Sequence, residues 1–259
     1  MFLRRLADRK HGATGRRIGA VLWPVGLMRD ERPSVSDPVA HRIAALAVLP
    51  VFFKLDGKRV VLVGGGEPSL WKAELLSAAG AHVDVFSKSF VDGFRELTAT
   101  PPNGQLALKD RRWTPDDLTA AALAVGAFSD DTEAAEFASA ARAAGVPVNV
   151  VDRPAFCDFQ FGAIVNRSPL VVGISTDGAA PVFGQAIRSL IEGLLPDSFK
   201  SWAEAARGLR RDSDRLGDTM EQKRRFWQRF TDLAIRNADR GPVPADLDQL
   251  IDDVSDEGR

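Results

Sequence analysis

The chain has 259 residues, 45% of them apolar, enough to bury a proper core in one large or two small domains. Its 34 basic and 35 acidic side chains leave a net charge of −1, so nothing global draws it to nucleic acid or to an anionic membrane. One cysteine excludes an intramolecular disulfide framework and suits a reducing compartment, three histidines (His11, His41, His82) at no ligand-like spacing argue against a dedicated metal site, and the lack of tyrosine leaves acid–base chemistry to carboxylates, Lys and Ser/Thr.

Residues 1–46 differ in character from the rest of the chain. Up to Arg32 there are eight basic residues against three acids, and no clear periodicity. The apolar stretch Ile18 to Met28 is too short to span a bilayer and contains Pro24. Arg29, Asp30 and Glu31 stand where a signal-peptide cleavage site needs small residues, so export is not expected. A mobile extension, or a start placed too early, is the expectation for this segment.

From Leu49 onward strand and helix patterns alternate. Arg59–Val63 reads as a buried strand, followed by a helix near Ser69–Ala79, Gly80, and the strand His82–Phe86. A short helix (Val91–Leu97) leads to a loop marked by Pro101, Pro102, Asn103 and Gly104. Leu106–Leu108 and Leu123–Phe128 are further strands, the Ala-rich run Thr132–Ala144 is a helix stopped by Gly145, and Pro147–Val151 is a last β-branched run. Strands alternating with helices imply right-handed crossovers and a buried parallel sheet, so the fold class is α/β and Rossmann-like. After Asp152 the grammar changes. Phe159–Val165 and Leu170–Ser175 read as two short strands, then helices follow at Pro181–Leu195, Phe199–Leu216 and Met220–Ala238, and Asp246 to Arg259 reads as an acidic, frayed end.

The first strand runs directly into Gly64-Gly65-Gly66-Glu67-Pro68-Ser69. Gly64 permits a tight turn, Gly66 lets the backbone approach a pyrophosphate, and Ser69 is small enough for close helix–strand packing. The free N–H groups of the first helical turn then face an anion, helped by the helix dipole. An NAD-preferring domain usually ends its second strand on an acid; here that position reads Phe86-Ser87-Lys88-Ser89. Taken alone, Lys88 points to a 2′-phosphate and NADP.

Several motifs then meet a known family. Asn149-Val150-Val151-Asp152-Arg153-Pro154, Cys157-Asp158-Phe159, Arg167-Ser168-Pro169-Leu170 and Ile174-Ser175-Thr176 with Gly178 and Pro181-Val182 together resemble the precorrin-2 dehydrogenase / sirohydrochlorin ferrochelatase family, the N-terminal module of siroheme synthases. The glycine turn with Lys72, the Asp130-Asp131 pair and Lys223-Arg224-Arg225-Phe226-Trp227 match it too, in the same order, across residues 48–235. The resemblance implies NAD-dependent oxidation of precorrin-2 to sirohydrochlorin, with ferrochelation (Fe²⁺ as substrate) in some members. It implies a homodimer with tetrapyrrole substrates, while the net charge and the single cysteine give a cytoplasmic protein with no nucleic-acid or membrane partner as the expectation. It divides the chain into a Rossmann-like NAD-binding domain (47–152), a dimerisation and substrate region with short strands (153–197), a helical domain (198–240) and an acidic tail (241–259). The methyltransferase fused to full-length siroheme synthases has no room after the last expected helix. Family members carry Val-Ala and Arg where this chain has Pro68-Ser69 and Trp71, and commonly a glycine where it has Asp177.

The resemblance assigns catalysis to Asp152. Its carboxylate suits both the proton lost with a hydride and the pyrrole protons displaced by a metal; the plain alternative is a turn residue bonding nearby N–H groups ahead of Pro154. Gly64, Gly65, Gly66, Glu67, Pro68, Lys88, Ser89 and Asp130 are the cofactor-binding candidates, with Asp130 and Asp131 also suited to capping the helix at Thr132. Arg167 is a candidate clamp for substrate carboxylates, and Ser175 and Thr176 either cap the next element or touch substrate. Cys157 reads as structural, and Lys223–Arg225 as a solvated helix face. Other NAD(P)-linked oxidoreduction and non-catalytic tetrapyrrole carriage are the alternatives; the former has no tyrosine for a Tyr-Lys relay.

Overall fold

The computed structural model describes residues 43–212, 216–217 and 219–256. The expected N-terminal extension lies, up to residue 42, outside the described residues, and the folded elements all belong to the unit Leu46–Arg259. β1 (Arg59–Val63), β2 (His82–Ser87), β3 (Gln105–Asp110), β4 (Leu123–Gly126) and β5 (Val148–Val150) form one sheet in the order β3-β2-β1-β4-β5. All four pairings are parallel, as the alternating pattern requires.

Both faces of the sheet are covered, which is why its strands read as continuous apolar runs rather than alternating ones. Val60, Leu62, Val83, Val85, Leu123 and Val125 meet Ala73 and Leu76 of α1 (Glu67–Ala78) and Phe94 of α2 (Gly93–Ala99). On the other face Val61, Val63, Phe86, Ala124, Val148 and Val150 meet Ala134, Phe137, Ala138 and Ala141 of α3 (Asp131–Ala143). The strand order reverses between β1 and β4. In open α/β sheets ligands bind outside the carboxyl ends of the strands at that reversal.

β6 (Ala163–Arg167) and β7 (Leu170–Ile174) form a separate antiparallel pair, with α4 (Pro181–Leu194) against it. The expected strand from Phe159 thus begins only at Ala163. Phe159 and Phe161 alternate as a strand would, but their rings pack edge-on against each other, 5.4 Å between centroids, and against the core under α1. Burial, not strand pairing, sets that alternation.

α5 (Phe199–Arg211), α6 (Met220–Arg236) and α7 (Pro244–Asp256) enclose a second core of Trp202, Leu216, Phe226, Phe230, Ala234 and Leu250. α6 begins with a reciprocal cap: the Thr219 hydroxyl accepts from the Gln222 N–H at 3.1 Å, and Gln222 Oε1 accepts from the Thr219 N–H at 2.9 Å. The acidic end expected to fray is instead helical through Asp256. Leu247, Leu250 and Ile251 recur at helical spacing and reach the core, while Arg240 holds Asp246 at 2.7 Å at the helix start.

Candidate functional site

The glycine turn closes the carboxyl end of β1. Gly64 has φ +124°, open to glycine and strained for other residues. At Gly65 a Cβ would collide with the Ser89 carbonyl oxygen, so the turn is in van der Waals contact with the segment after β2. That segment is fixed in turn: the Val91 N–H donates to the Gly65 carbonyl at 2.9 Å, and the Ser87 hydroxyl to the Ser89 carbonyl at 2.7 Å. Gly66, in extended conformation, caps α1 without a side chain.

The N–H groups of Gly65, Gly66 and Glu67 donate to nothing among the described residues. Pro68 has none to offer, and the next, from Ser69, goes to the Gly66 carbonyl at 3.1 Å. Successive unpaired N–H groups at a helix start form an anion-binding concavity. The Ser69 hydroxyl is fully buried behind Gly64 with no hydrogen-bond partner among the described residues. An unpaired cradle with a helix dipole behind it fits a pyrophosphate. Glu67 adds a negative charge to the first turn of α1, and Lys88 and Ser89 lie exposed beyond it.

The loop after β4 supplies a second rim. Asp130 caps α3, accepting from the Thr132 N–H at 2.5 Å and the Glu133 N–H at 3.3 Å. Those bonds, with Arg153 nearby, hold its carboxyl below the usual range. Asp131 pairs with Arg153, whose guanidinium also donates to the carbonyls of Ser129 (2.8 Å) and Phe128 (3.3 Å). Arg153 therefore stitches the β4 loop to the β5 loop. In the sequence it stands out only as part of a motif, because its partners lie 22 to 25 positions earlier in the chain.

Asp152 lies two residues past β5, the edge strand beside β4, with φ 59°. It is exposed, and its carboxylate makes no hydrogen bond or ion pair among the described residues. The N–H bonds expected of a plain turn residue are not formed. Beneath it lies Lys72, only 8% exposed and on the buried face of α1. Its ammonium sits 3.8 Å from the Phe161 ring centroid and 4.3 Å from that of Trp71. Burial lowers its pKa from 10.5 to about 8, with the charges of Asp152 and Cys157 drawing it back up. The sequence alone does not single out Lys72 as a buried cation, since only the fold brings Phe161 and Asp152 to it.

Cys157 is structural. Its sulfur lies 3.2 Å from both the N–H and the carbonyl of Val150 and 3.4 Å from Asn149 Nδ2, and burial pushes the thiol up. Asn149 also donates to the Phe159 carbonyl at 2.8 Å, fixing the chain that leaves the site.

The expected substrate residues fall in the hairpin region. Arg167 does not project into open space: its guanidinium donates to the Leu195 carbonyl at 2.9 Å and meets Asp197 at 3.1 Å, tying β6 to the end of α4. The Ser175 hydroxyl accepts from the Asp177 N–H at 3.1 Å, and Thr176 Oγ1 from the Ala180 N–H at 3.4 Å, a local turn leading into α4. Asp177, at φ 52°, accepts from Gln160 at 3.0 Å. Ser175 lines an apolar groove with Phe52, Phe53, Phe159, Leu170 and Val171. Among the described residues no group of three or more His, Cys, Asp or Glu is placed to hold a metal ion, and no helix is long and apolar enough to cross a membrane.

A parallel sheet with an unpaired N–H cradle at its order reversal is the arrangement of a nucleotide-binding domain, and residues 51–163 match the family described as "Putative NAD(P)-binding". The siroheme synthase of Pseudomonas paraeruginosa (strain PA7) is 37% identical over 205 residues, 79% of this chain and 43% of that protein. The siroheme synthase of Stutzerimonas stutzeri (strain A1501) is 41% identical over 180 residues, 70% of this chain and 38% of that one. The solved structure of SirC, a precorrin-2 dehydrogenase, shares the fold with TM-score 0.59 at 20% identity, covering 81% of this chain and all of that one. The chain is thus similar to siroheme synthases over 180 to 205 residues and shares the fold of SirC. It spans less than half the length of these siroheme synthases.

Proposed function

We propose that this chain is an enzyme that oxidises precorrin-2 to sirohydrochlorin with NAD in siroheme biosynthesis, and that Asp152 is its catalytic base. The observation that carries this is an exposed carboxylate without a hydrogen bond or ion pair among the described residues, on the left-handed residue Asp152, at the carboxyl end of the same sheet that carries the unpaired N–H cradle. When bound, the dinucleotide accepts the hydride. The chain's own contribution is threefold. The turn Gly64 to Glu67 would hold the pyrophosphate; the β4 loop, fixed by Asp130 and Arg153, would form the other wall of the cofactor site; and Asp152 would take the proton released as the macrocycle loses hydride. Ser175 and Thr176 contact the substrate from the hairpin side, and Arg167 shapes that hairpin from behind.

Ferrochelation uses the same carboxylate: insertion of Fe²⁺ releases two pyrrole protons, which Asp152 accepts in turn. The chain acts in the cytoplasm, consistent with its single, hydrogen-bonded thiol, and works as a homodimer through the apolar hairpin and α4. Purified protein given precorrin-2 and NAD⁺ tests the proposal. One NADH should form per sirohydrochlorin, and siroheme should follow on adding Fe²⁺ faster than spontaneous insertion. A spectrum that shifts on binding and never progresses would identify a tetrapyrrole carrier instead.

A further inference from the structure

The acid expected at the end of the second strand is absent from Ser87-Lys88-Ser89. The sheet supplies one from the neighbouring strand. β3 runs on to Asp110, which stands in parallel register with Ser87. Hydrogen-bonded strands lie about 4.8 Å apart, so the two residues are adjacent at the carboxyl edge. Side chains alternate along a strand, which puts Asp110 on the face of Leu106 and Leu108 and Ser87 on the face of Val83 and Val85; these four share one core cluster. The Ser87 hydroxyl in turn abuts the glycine turn, since a Cβ on Gly65 would lie 2.6 Å from it. Glycine turn, Ser87 and Asp110 thus form one continuous row.

Most charges around that row are already paired. Arg111 is held bidentate by Asp117 at 2.6 and 2.7 Å, and Lys109 reaches toward Asp84 at 3.9 Å. Asp110 is exposed and makes no hydrogen bond or ion pair among the described residues. Of the nearby cations Lys88 and, in the first turn of α2, Arg95 have no such side-chain partner among the described residues.

We propose that Asp110 is a specificity-determining residue for the adenosine half of the dinucleotide, its carboxylate accepting a hydrogen bond from the ribose hydroxyls and repelling a 2′-phosphate. It rests on the dinucleotide-binding function already proposed for this chain. NAD is preferred over NADP despite Lys88, because the neighbouring carboxylate faces the same ribose.

Calorimetric titration of NAD⁺, NADP⁺, ADP-ribose and 2′-phospho-ADP-ribose into the whole chain and into Asp110→Asn and Lys88→Ala tests this without turnover. The wild type should favour both unphosphorylated ligands. Hydrogen bonds to a charged group support roughly a tenfold effect, so Asp110→Asn should shrink the NAD⁺/NADP⁺ affinity ratio by about that factor, with an unchanged melting curve. Lys88→Ala should leave the order of preference intact. An unchanged ratio in Asp110→Asn overturns the assignment, as does a wild type that prefers NADP⁺ and loses that preference with Lys88→Ala. Wild-type protein that binds none of the four ligands refutes the dinucleotide function itself, a failure visible before any substitution is compared.

Discussion

Asp152 is held at φ 59°, a conformation that costs a non-glycine residue about 1–2 kcal/mol and that Asp and Asn adopt most readily. A local cost retained just past the carboxyl end of β5 accords with the catalytic role proposed for Asp152. Lys72 carries a cost of another kind, the burial of its ammonium. Its folded pKa of about 8 lies below the unfolded 10.5, so the unfolded chain binds the extra proton between those values. Stability therefore rises as pH climbs from about 8 to 10.5, and the full penalty is present below pH 8. Replacing a buried charge by an apolar side chain of similar length often stabilises, so Lys72→Met should gain about 1–3 kcal/mol at neutral pH and flatten that slope. Urea unfolding at pH 7, 8 and about 10 checks it. An unchanged slope would locate the titrating group elsewhere. The sequence shows Lys72 as a charge among Ser69, Ala73 and Leu76 on one helix face, but the rings that flank it come from positions no helical period connects.

At the scale of elements, the crossovers and the glycine turn were legible because each is written locally: apolar runs, three glycines, a helix start. Gly65→Ala should force the turn away from the Ser89 carbonyl, destabilising by about 1–3 kcal/mol and weakening dinucleotide binding. A thermal melt with a titration would show both; full affinity would mean the turn is not the pyrophosphate site. What could not be seen was register. Only Leu106–Leu108 of β3 is apolar, so the strand's extension to Asp110 and its alignment with Ser87 appear only in the folded sheet. α7 was hidden for another reason, since its five aspartates mask the apolar positions Leu247, Leu250 and Ile251. Leu250→Ala should cost about 2–4 kcal/mol if α7 closes the second core. A change below ~0.5 kcal/mol in urea unfolding would mean a loosely attached helix.

Among the described residues, burial is tight around β1, β4 and β5 of the parallel sheet and looser on the hairpin side. Phe183, Leu190 and Leu194 of α4 are 54–65% exposed, and Leu170 and Val171 of β7 add to the same apolar character. Exposed apolar patches of this kind mark association surfaces, and closed two-fold dimers are the commonest assembly. Light scattering at micromolar concentration should give a dimer mass for the wild type and a monomer mass for Leu190→Asp; a monomeric wild type would refute the homodimer. The central claim, that Asp152 is the base of a dehydrogenase, is met most directly by comparing Asp152→Asn with the wild type at saturating NAD⁺ and precorrin-2. A positioned base contributes about 10²–10⁴-fold, so NADH formation should fall by that order while calorimetric NAD⁺ affinity stays within about twofold. Wild-type rates in Asp152→Asn would contradict the account and return Asp152 to the role of a turn residue before Pro154.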